Sequence, residues 1–389
     1  VSTQSSQPHG RIADIELLRG IAVIFVLFEH TRINLFPWIN GPETHLYFYF
    51  GFWTGVDLFF AISGFVIARS LLPTLEATNG ATGFFNAALA FWVRRAWRLL
   101  PSAWLWLSVI LVLSAVFNRS GIFWNFRSNL EGAVAAILDV ANFRIVLVYG
   151  KFAPGASFPY WSLSLEEQFY ILLPIVVFFS RRWLPYVLGA GVLAQFFIMR
   201  DGHSDSALVL LLNQLRSDAL LLGVLIAIWS RHPTYRLFEP IILKGRPLAG
   251  LAVLTVLLIC LAAMGSTELN LVTFKIGMIA LISAVLVFVA SYGQDYLFPP
   301  GLAKRLMLWV GSRSYAIYLT HIPAFFITRE IWFRIEPPGT TFNGTYTLRF
   351  ALTAIVLLVT FTELNYRYVE LPFRRRGAVI AQRISQRSV

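Results

Sequence analysis

The chain is divided into apolar runs of about helix-spanning length, and no other feature restricts its fold so severely. The runs fall near 12–32, 47–72, 101–118, 161–180, 184–199, 207–230, 248–264, 272–292, 309–333 and 347–369. A bilayer core about 30 Å thick is crossed by roughly 20 residues of helix. The runs therefore predict an all-α, polytopic transmembrane helix bundle of about ten spans. Only 13% of the 389 residues are charged and 57% are hydrophobic, against about 25% charged in an ordinary soluble domain. A soluble fold and a disordered chain are both excluded. The single cysteine, Cys260, leaves no intramolecular disulfide framework and no cysteine-rich metal site.

The charge balance is lopsided, with 32 Lys+Arg against 20 Asp+Glu, a net +12. In a soluble domain that excess would point to nucleic acid; on this apolar background it reports topology, and no nucleic-acid partner is expected. An eleventh candidate, 131–149, carries Glu131, Asp139, Asn142 and Arg144. Each ionisable residue at a helix centre costs about 3 kcal/mol on insertion scales. With that stretch omitted and the N-terminus in the cytoplasm, the basic residues sort to one side. Arg11, the Arg94–Arg98 group, Arg181 and Arg182, residues 231–246, Lys304 and Arg305, and the tail with Arg374, Arg375, Arg376, Arg383 and Arg387 all become cytoplasmic. The opposite loops, NLFPWINGPETH, DGHSDS, GSTELN and PPGTTFNGTY, hold few or no basic residues. Counting 131–149 as a span would invert every later loop, so the positive-inside rule selects ten spans with both termini cytoplasmic. Segment 119–160 is then a long external stretch, re-entrant or amphipathic, although it carries Arg119, Arg127, Arg144 and Lys151. The short polar Val1–Gly10 has no cleavable signal peptide pattern. Residues 1–373 read as one membrane-embedded domain and 374–389 as a short basic cytoplasmic tail, with no fused extracytoplasmic domain expected.

An ionisable residue inside a span is a functional candidate by default. Arg19 and His30 are eleven residues apart, about three helical turns, so they share one face roughly 16 Å apart along the axis. Arg19 falls in the cytoplasmic half and His30 in the external half; snorkelling and end-capping are the plainer alternatives. In GVDLFFAISGFVIARSLL, Asp57 and Gly64 lie on nearly one face, Ser63 adjoins, and Gly64 would allow close approach of another helix or a ligand. Arg69 closes that run on the cytoplasmic side. FWVRRAWRLLPSAW brings Arg94, Arg95 and Arg98 within one turn among Trp92 and Trp97, with Pro101 able to open the next span. The segment suits either a positive-inside interfacial helix or an anion cradle for phosphates. PYWSLSLEEQFYILLP carries Trp161, Ser164 and the adjacent carboxylates Glu166 and Glu167, at least one of which should face a polar cavity or a cation. GSRSYAIYLTHIP places Tyr318 one turn from His321, which could also be a satisfied core histidine. Glu363, Arg367 and Glu370 form a ladder read as structural. The bundle thus divides into a basic, anion-binding mouth on the cytoplasmic side and an acid/base cluster on the external side.

These segments resemble acyltransferase family 3, integral-membrane enzymes that O-acylate bacterial surface glycans and some natural products. LLRGIAVIFVLFEH, GVDLFFAISGFVI, RRAWRLLP, WSLSLEEQFYILLP, SYAIYLTH and YVELPFRRR follow in the family's order over nearly the whole chain. The resemblance implies a single acyltransferase domain in a bacterial cytoplasmic (inner) membrane. It implies acyl-CoA, usually acetyl-CoA, as co-substrate with no tightly bound cofactor, and a glycan or glycolipid acceptor at the external face. It also gives weight to Arg19, His30, Asp57, Arg95, Arg98, Glu167 and His321. Some relatives carry a fused extracytoplasmic domain that completes the transfer, which leaves open a separate periplasmic transferase as a partner here.

The expected chemistry follows from thioester acyl transfer, which needs a base for the acceptor hydroxyl and help for the developing oxyanion. Arg19, Arg69, Arg94, Arg95 and Arg98 would hold the CoA phosphates. His30 would be the base, with Asp57 or Glu167 fixing its tautomer; an acyl-histidine on His30 or His321 is the alternative. Ser63, Trp161, Ser164, Glu166 and Tyr318 would line the substrate path. No metal site is expected. The competing classes are a transporter or exporter with an intramembrane His/Asp/Glu proton relay and a lipid-linked glycosyltransferase.

Overall fold

The computed structural model describes residues 12–39, 45–148, 151–196, 207–269, 272 and 274–386. Val1–Gly10, Arg11, the 201–206 loop and Arg387, all used in the topology argument, lie outside the described residues. Among those described there is no β-strand. The helices are α1 (Ala13–Asn34), α2 (His45–Tyr49), α3 (Gly55–Glu76), α4 (Gly80–Val116), α5 (Phe126–Ile137), α6 (Ala141–Val148), α7 (Tyr160–Ser180) and α8 (Leu184–Phe196). They continue as α9 (Ala207–Gln214), α10 (Asp218–Trp229), α11 (Pro247–Met264), α12 (Lys275–Ser291), α13 (Leu302–Ser312), α14 (Ser314–Ile335), α15 (Thr347–Asn365) and α16 (Leu371–Gln386).

Among the described residues six helical stretches are long and apolar enough to cross a bilayer: Phe52–Glu76, Gly80–Val116, Tyr160–Phe196, Leu211–Trp229, Pro247–Met264 and Gly344–Gln386. Helix α12 is apolar but has 17 residues. Helices α1 and α14 have 22 residues each, about 33 Å at 1.5 Å per residue, and carry the charged and polar side chains that form the site. The chain is a multi-pass membrane protein. Helix α3 runs through the interior, with Leu58, Phe60, Ala61, Ile62, Phe65 and Ile67 all buried. The outer helices instead expose Leu193, Leu248, Val256, Leu352 and Val356, as lipid-facing surfaces do.

Helices α3 and α10 meet along a glycine seam. A Cβ on Gly64 would stand 2.1 Å from the Leu220 carbonyl oxygen, and one on Gly223 would stand 2.2 Å from that of Ala61. Each glycine therefore admits the other helix's backbone, the close approach expected at Gly64.

Two expectations need correction. Pro101 does not open a span: α4 is continuous from Gly80 to Val116, with Pro101 inside it. Its 37 residues reach about 55 Å, so the arginine-rich stretch is the first half of a long helix rather than a loop before one. Local helix propensity continued where hydropathy stopped. The ladder of Glu363, Arg367 and Glu370 also divides. Glu363 pairs with Arg367 at 2.7 Å and with Arg313, while a π-helical turn at Tyr366–Glu370 sends the buried Glu370 elsewhere.

Segment 119–160 is not a single helix. Asp139, with φ of 56°, turns the chain between α5 and α6. Its basic residues are engaged locally. Arg127 pairs with Glu131 at 2.9 Å, and Arg144 sits 3.6 Å from the same carboxylate while donating to the carbonyls of Pro154 and Ser128. The Arg127 hydrogen bond, with Arg144 close by, holds the Glu131 carboxyl below its ordinary range.

Candidate active site

Helix α1 supplies Arg19 and His30, three turns apart on one face, and α14 supplies His321 beside the second of these. His30 Nδ1 and His321 Nε2 are 2.7 Å apart. The ring planes differ by 11° and the centroids by 5.0 Å, the spacing of two imidazoles sharing an in-plane N–H···N bond. His321 is fully buried, and its Nδ1 lies 2.7 Å from the Tyr318 carbonyl oxygen. These partners assign the tautomers. A carbonyl only accepts, so His321 Nδ1 carries its proton and the neutral ring offers a lone pair at Nε2. His30 Nδ1 must then donate, which leaves His30 Nε2 as a lone pair available to an incoming proton.

A cavity lies between α1, α3, α4, α7 and α14. Arg19, Arg95 and Arg98 line it together with Ser63, Glu166, Glu167 and Tyr318. Tyr318 joins the cavity to the histidine pair: its side chain faces the cavity while its carbonyl holds His321. The Tyr318 hydroxyl donates to the Pro159 carbonyl at 2.8 Å and lies 2.6 Å from the Ser162 hydroxyl. Glu166 accepts from both Ser63 and Tyr170. Glu167 stands beside Asp139 of the α5–α6 turn. A second cavity, lined by Glu16, Ser312, Glu370 and Arg374, shares Arg19, Arg98 and Tyr315 with the first.

The guanidiniums share the cavity wall with the carboxyls of Glu166 and Glu167. Among the described residues Arg19 pairs with Glu16 at 3.5 Å, and Arg95 lies over the rings of Phe91 and Tyr170 at 5.6 and 5.3 Å. The Nε atoms of Arg19 and Arg98 are buried with no hydrogen-bond partner among the described residues. A buried donor without a partner costs about 1–3 kcal/mol.

Several expected site residues stand elsewhere. Asp57 is buried 3.5 Å from Arg216, whose guanidinium lies 4.9 and 5.1 Å from the rings of Trp53 and Trp161. Trp161 therefore stacks on Arg216 and is absent from the cavity lining. Glu167 does not hold His30, since His321 does. Ser164 accepts from the Ala141 amide at 3.3 Å and fixes α6 on α7. Arg94 is absent from the cavity wall formed by its neighbours Arg95 and Arg98. Arg69 is exposed and lines a different cleft with Arg231, Arg236 and Tyr292. Arg216 itself was missed, although QLRSDALLLG puts an arginine and an aspartate into an apolar run. Ser162, Tyr170 and Tyr315 carried no signal beyond their place in motifs. Among the described residues no group of three His, Cys, Asp or Glu stands at metal-ligand spacing.

Residues 12–362 match a family described as an acyltransferase domain, acyltransferase 3. The chain is 28% identical to a protein of Listeria monocytogenes named peptidoglycan O-acetyltransferase OatA, over 95% of this chain and 56% of that one. It is 26% identical to the O-acetyltransferase OatA of Staphylococcus aureus, over 92% and 57%. A putative peptidoglycan O-acetyltransferase, YrhL of Bacillus subtilis, is 29% identical over 96% and 56%. The chain thus spans just over half the length of these relatives. No solved structure matches it significantly.

Proposed function

The chain belongs to the acyltransferase 3 family, and on that premise we propose that it moves an acetyl group from acyl-CoA to a sugar hydroxyl of a surface glycan or glycolipid. The names of the relatives support an O-acetyl transfer, and two of those names support peptidoglycan as the acceptor. The carrying observation is one cavity lined by Arg19, Arg95, Arg98 and Tyr318, whose carbonyl binds His321 of the histidine pair.

In this reading Arg19, Arg95 and Arg98 hold the phosphates of acetyl-CoA, and the pantetheine arm follows α1 toward His30. The Arg19-to-His30 separation of about 16 Å suits a donor whose charged end and thioester are far apart. His30 Nε2 takes the proton of the acceptor hydroxyl as its oxygen attacks the thioester carbonyl. The carbon–sulfur bond breaks, and the departing CoA sulfur receives the proton back from His30. His321 holds His30 in the tautomer this requires, the part given to a carboxylate in a Ser-His-Asp triad. Because His321 is neutral, it orients the base without stabilising the imidazolium as strongly as a carboxylate would.

The sorting of basic residues supports a ten-span arrangement with both termini in the cytoplasm, the guanidinium end of the cavity facing the cytoplasm and the histidines facing out. A bacterial cytoplasmic membrane and a separate extracytoplasmic partner fit that arrangement. The direct test is acetyl-CoA-dependent release of free thiol by the purified chain with an acceptor sugar present. No release above the protein-free rate would refute the reading.

A further inference from the structure

Helix α9 ends in Asn213 and Gln214, and two residues later Arg216 enters the Trp53–Trp161 box. Within this short stretch three buried polar atoms have no hydrogen-bond partner among the described residues: Asn213 Oδ1, Gln214 Oε1 and Arg216 Nε. Such groups are rare in native interiors and each needs an explanation. Two are acceptors in search of a donor, and one is a donor in search of an acceptor. An anion would satisfy only the donor and a cation only the acceptors. A hydroxyl both donates and accepts, so a ligand carrying several hydroxyls satisfies all three.

Arg216 also reaches the surroundings of His30 and Tyr318 through its two tryptophans. Trp53 donates its backbone N–H to Glu29, the residue before His30, at 3.0 Å. Trp161 precedes Ser162, which bonds Tyr318. Asp57, the ion-pair partner of Arg216, lies between Val56 and Phe59 of the cavity wall. The Arg216 box is therefore tied to the His30 turn through Glu29 and to the cavity through Tyr318.

We propose that Asn213, Gln214 and Arg216 form the acceptor subsite, which takes a neutral polyhydroxyl sugar and holds it beside His30. The proposal rests on the O-acetyltransferase reading and adds where the acceptor sits and what chemistry it has. Asp57 and the two tryptophans fix the guanidinium so that its free edge is presented to the sugar.

The test uses the full chain in detergent, with chitotetraose as an uncharged sugar and acetyl-CoA as donor. Removing an acceptor that has no partner costs the ligand-free protein no bond, so Asn213→Ala/Gln214→Ala should melt at or above the wild-type temperature. Its KM for chitotetraose should rise at least tenfold, since each lost hydrogen bond is worth roughly three- to tenfold. The KM for acetyl-CoA, set at the arginine end, should stay at the wild-type value. Wild-type tryptophan fluorescence should change saturably with chitotetraose, and Trp161→Phe should diminish that change. An unchanged acceptor KM in the double variant, or no saturable change in the wild type, overturns the subsite while thiol release still upholds the acetyltransferase. Loss of thiol release in the wild type overturns that wider reading instead.

Discussion

His30 and His321 lie 291 residues apart in sequence and share a 2.7 Å hydrogen bond between Nδ1 of the first and Nε2 of the second. The Tyr318 carbonyl fixes the direction of that bond by binding the other nitrogen of His321. A backbone atom on α14 thus decides which nitrogen on α1 is free to act as a base.

Replacing His321 should therefore damage chemistry more than donor binding. His321→Phe fills the site and removes the acceptor for His30 Nδ1. A positioned general base contributes about 10²–10⁴-fold. Steady-state kinetics should show kcat down by about a hundredfold or more with the KM for acetyl-CoA nearly unchanged. A parallel rise in that KM would assign His321 to donor binding.

Arg98 should trade stability against donor affinity. Its Nε is buried and unpartnered, so Arg98→Met relieves about 1–3 kcal/mol of unmet desolvation in the ligand-free protein. Thermal unfolding without ligand should occur at or above the wild-type temperature. Titration with acetyl-CoA should show affinity reduced tenfold or more. Arg94→Met, outside the cavity wall, should leave that affinity unchanged.

Asp57 should prove structural. Removing one member of a buried ion pair costs about 3–5 kcal/mol, because the other charge stays behind. Asp57→Ala should lower the denaturation midpoint accordingly. The double change Asp57→Leu/Arg216→Met should recover most of that loss while still failing to bind the acceptor sugar. Equal instability in the single and double variants would show that the pair contributes through something other than charge balance.

The α3–α10 seam should be intolerant of a single methyl group. Gly64→Ala places a Cβ 2.1 Å from the Leu220 carbonyl oxygen, where backbone must move. Overpacking of this kind costs about 1–3 kcal/mol. Unfolding in detergent should show the loss, whereas Gly189→Ala, which meets nothing within 4 Å, should show none.

The sequence carried the helical class, and its helix periodicity put Arg19 and His30 on one face. It also singled out Arg95, Arg98, Glu166, Glu167 and His321, because ionisable groups in apolar runs stand out. It could not choose partners. Periodicity orients a side chain about its own helix axis but says nothing about which helix stands opposite. For that reason the sequence offers Asp57 or Glu167 as the partner of His30, whereas Asp57 pairs with Arg216 and His30 faces another imidazole. Arg69 illustrates the same limit: it is exposed and lines a different cleft from Arg95. The hydropathy of α4 stopped at its arginines although the helix did not, since a charged face disturbs a hydropathy window without disturbing backbone hydrogen bonds.

The central claim is that His30 is the base of an acetyl-CoA-dependent transfer, and thiol release by His30→Ala in the presence of acceptor tests it most directly. The account predicts a rate at least a hundredfold below wild type, with acetyl-CoA still bound at wild-type affinity through Arg19, Arg95 and Arg98. Wild-type turnover by the His30→Ala protein would contradict it.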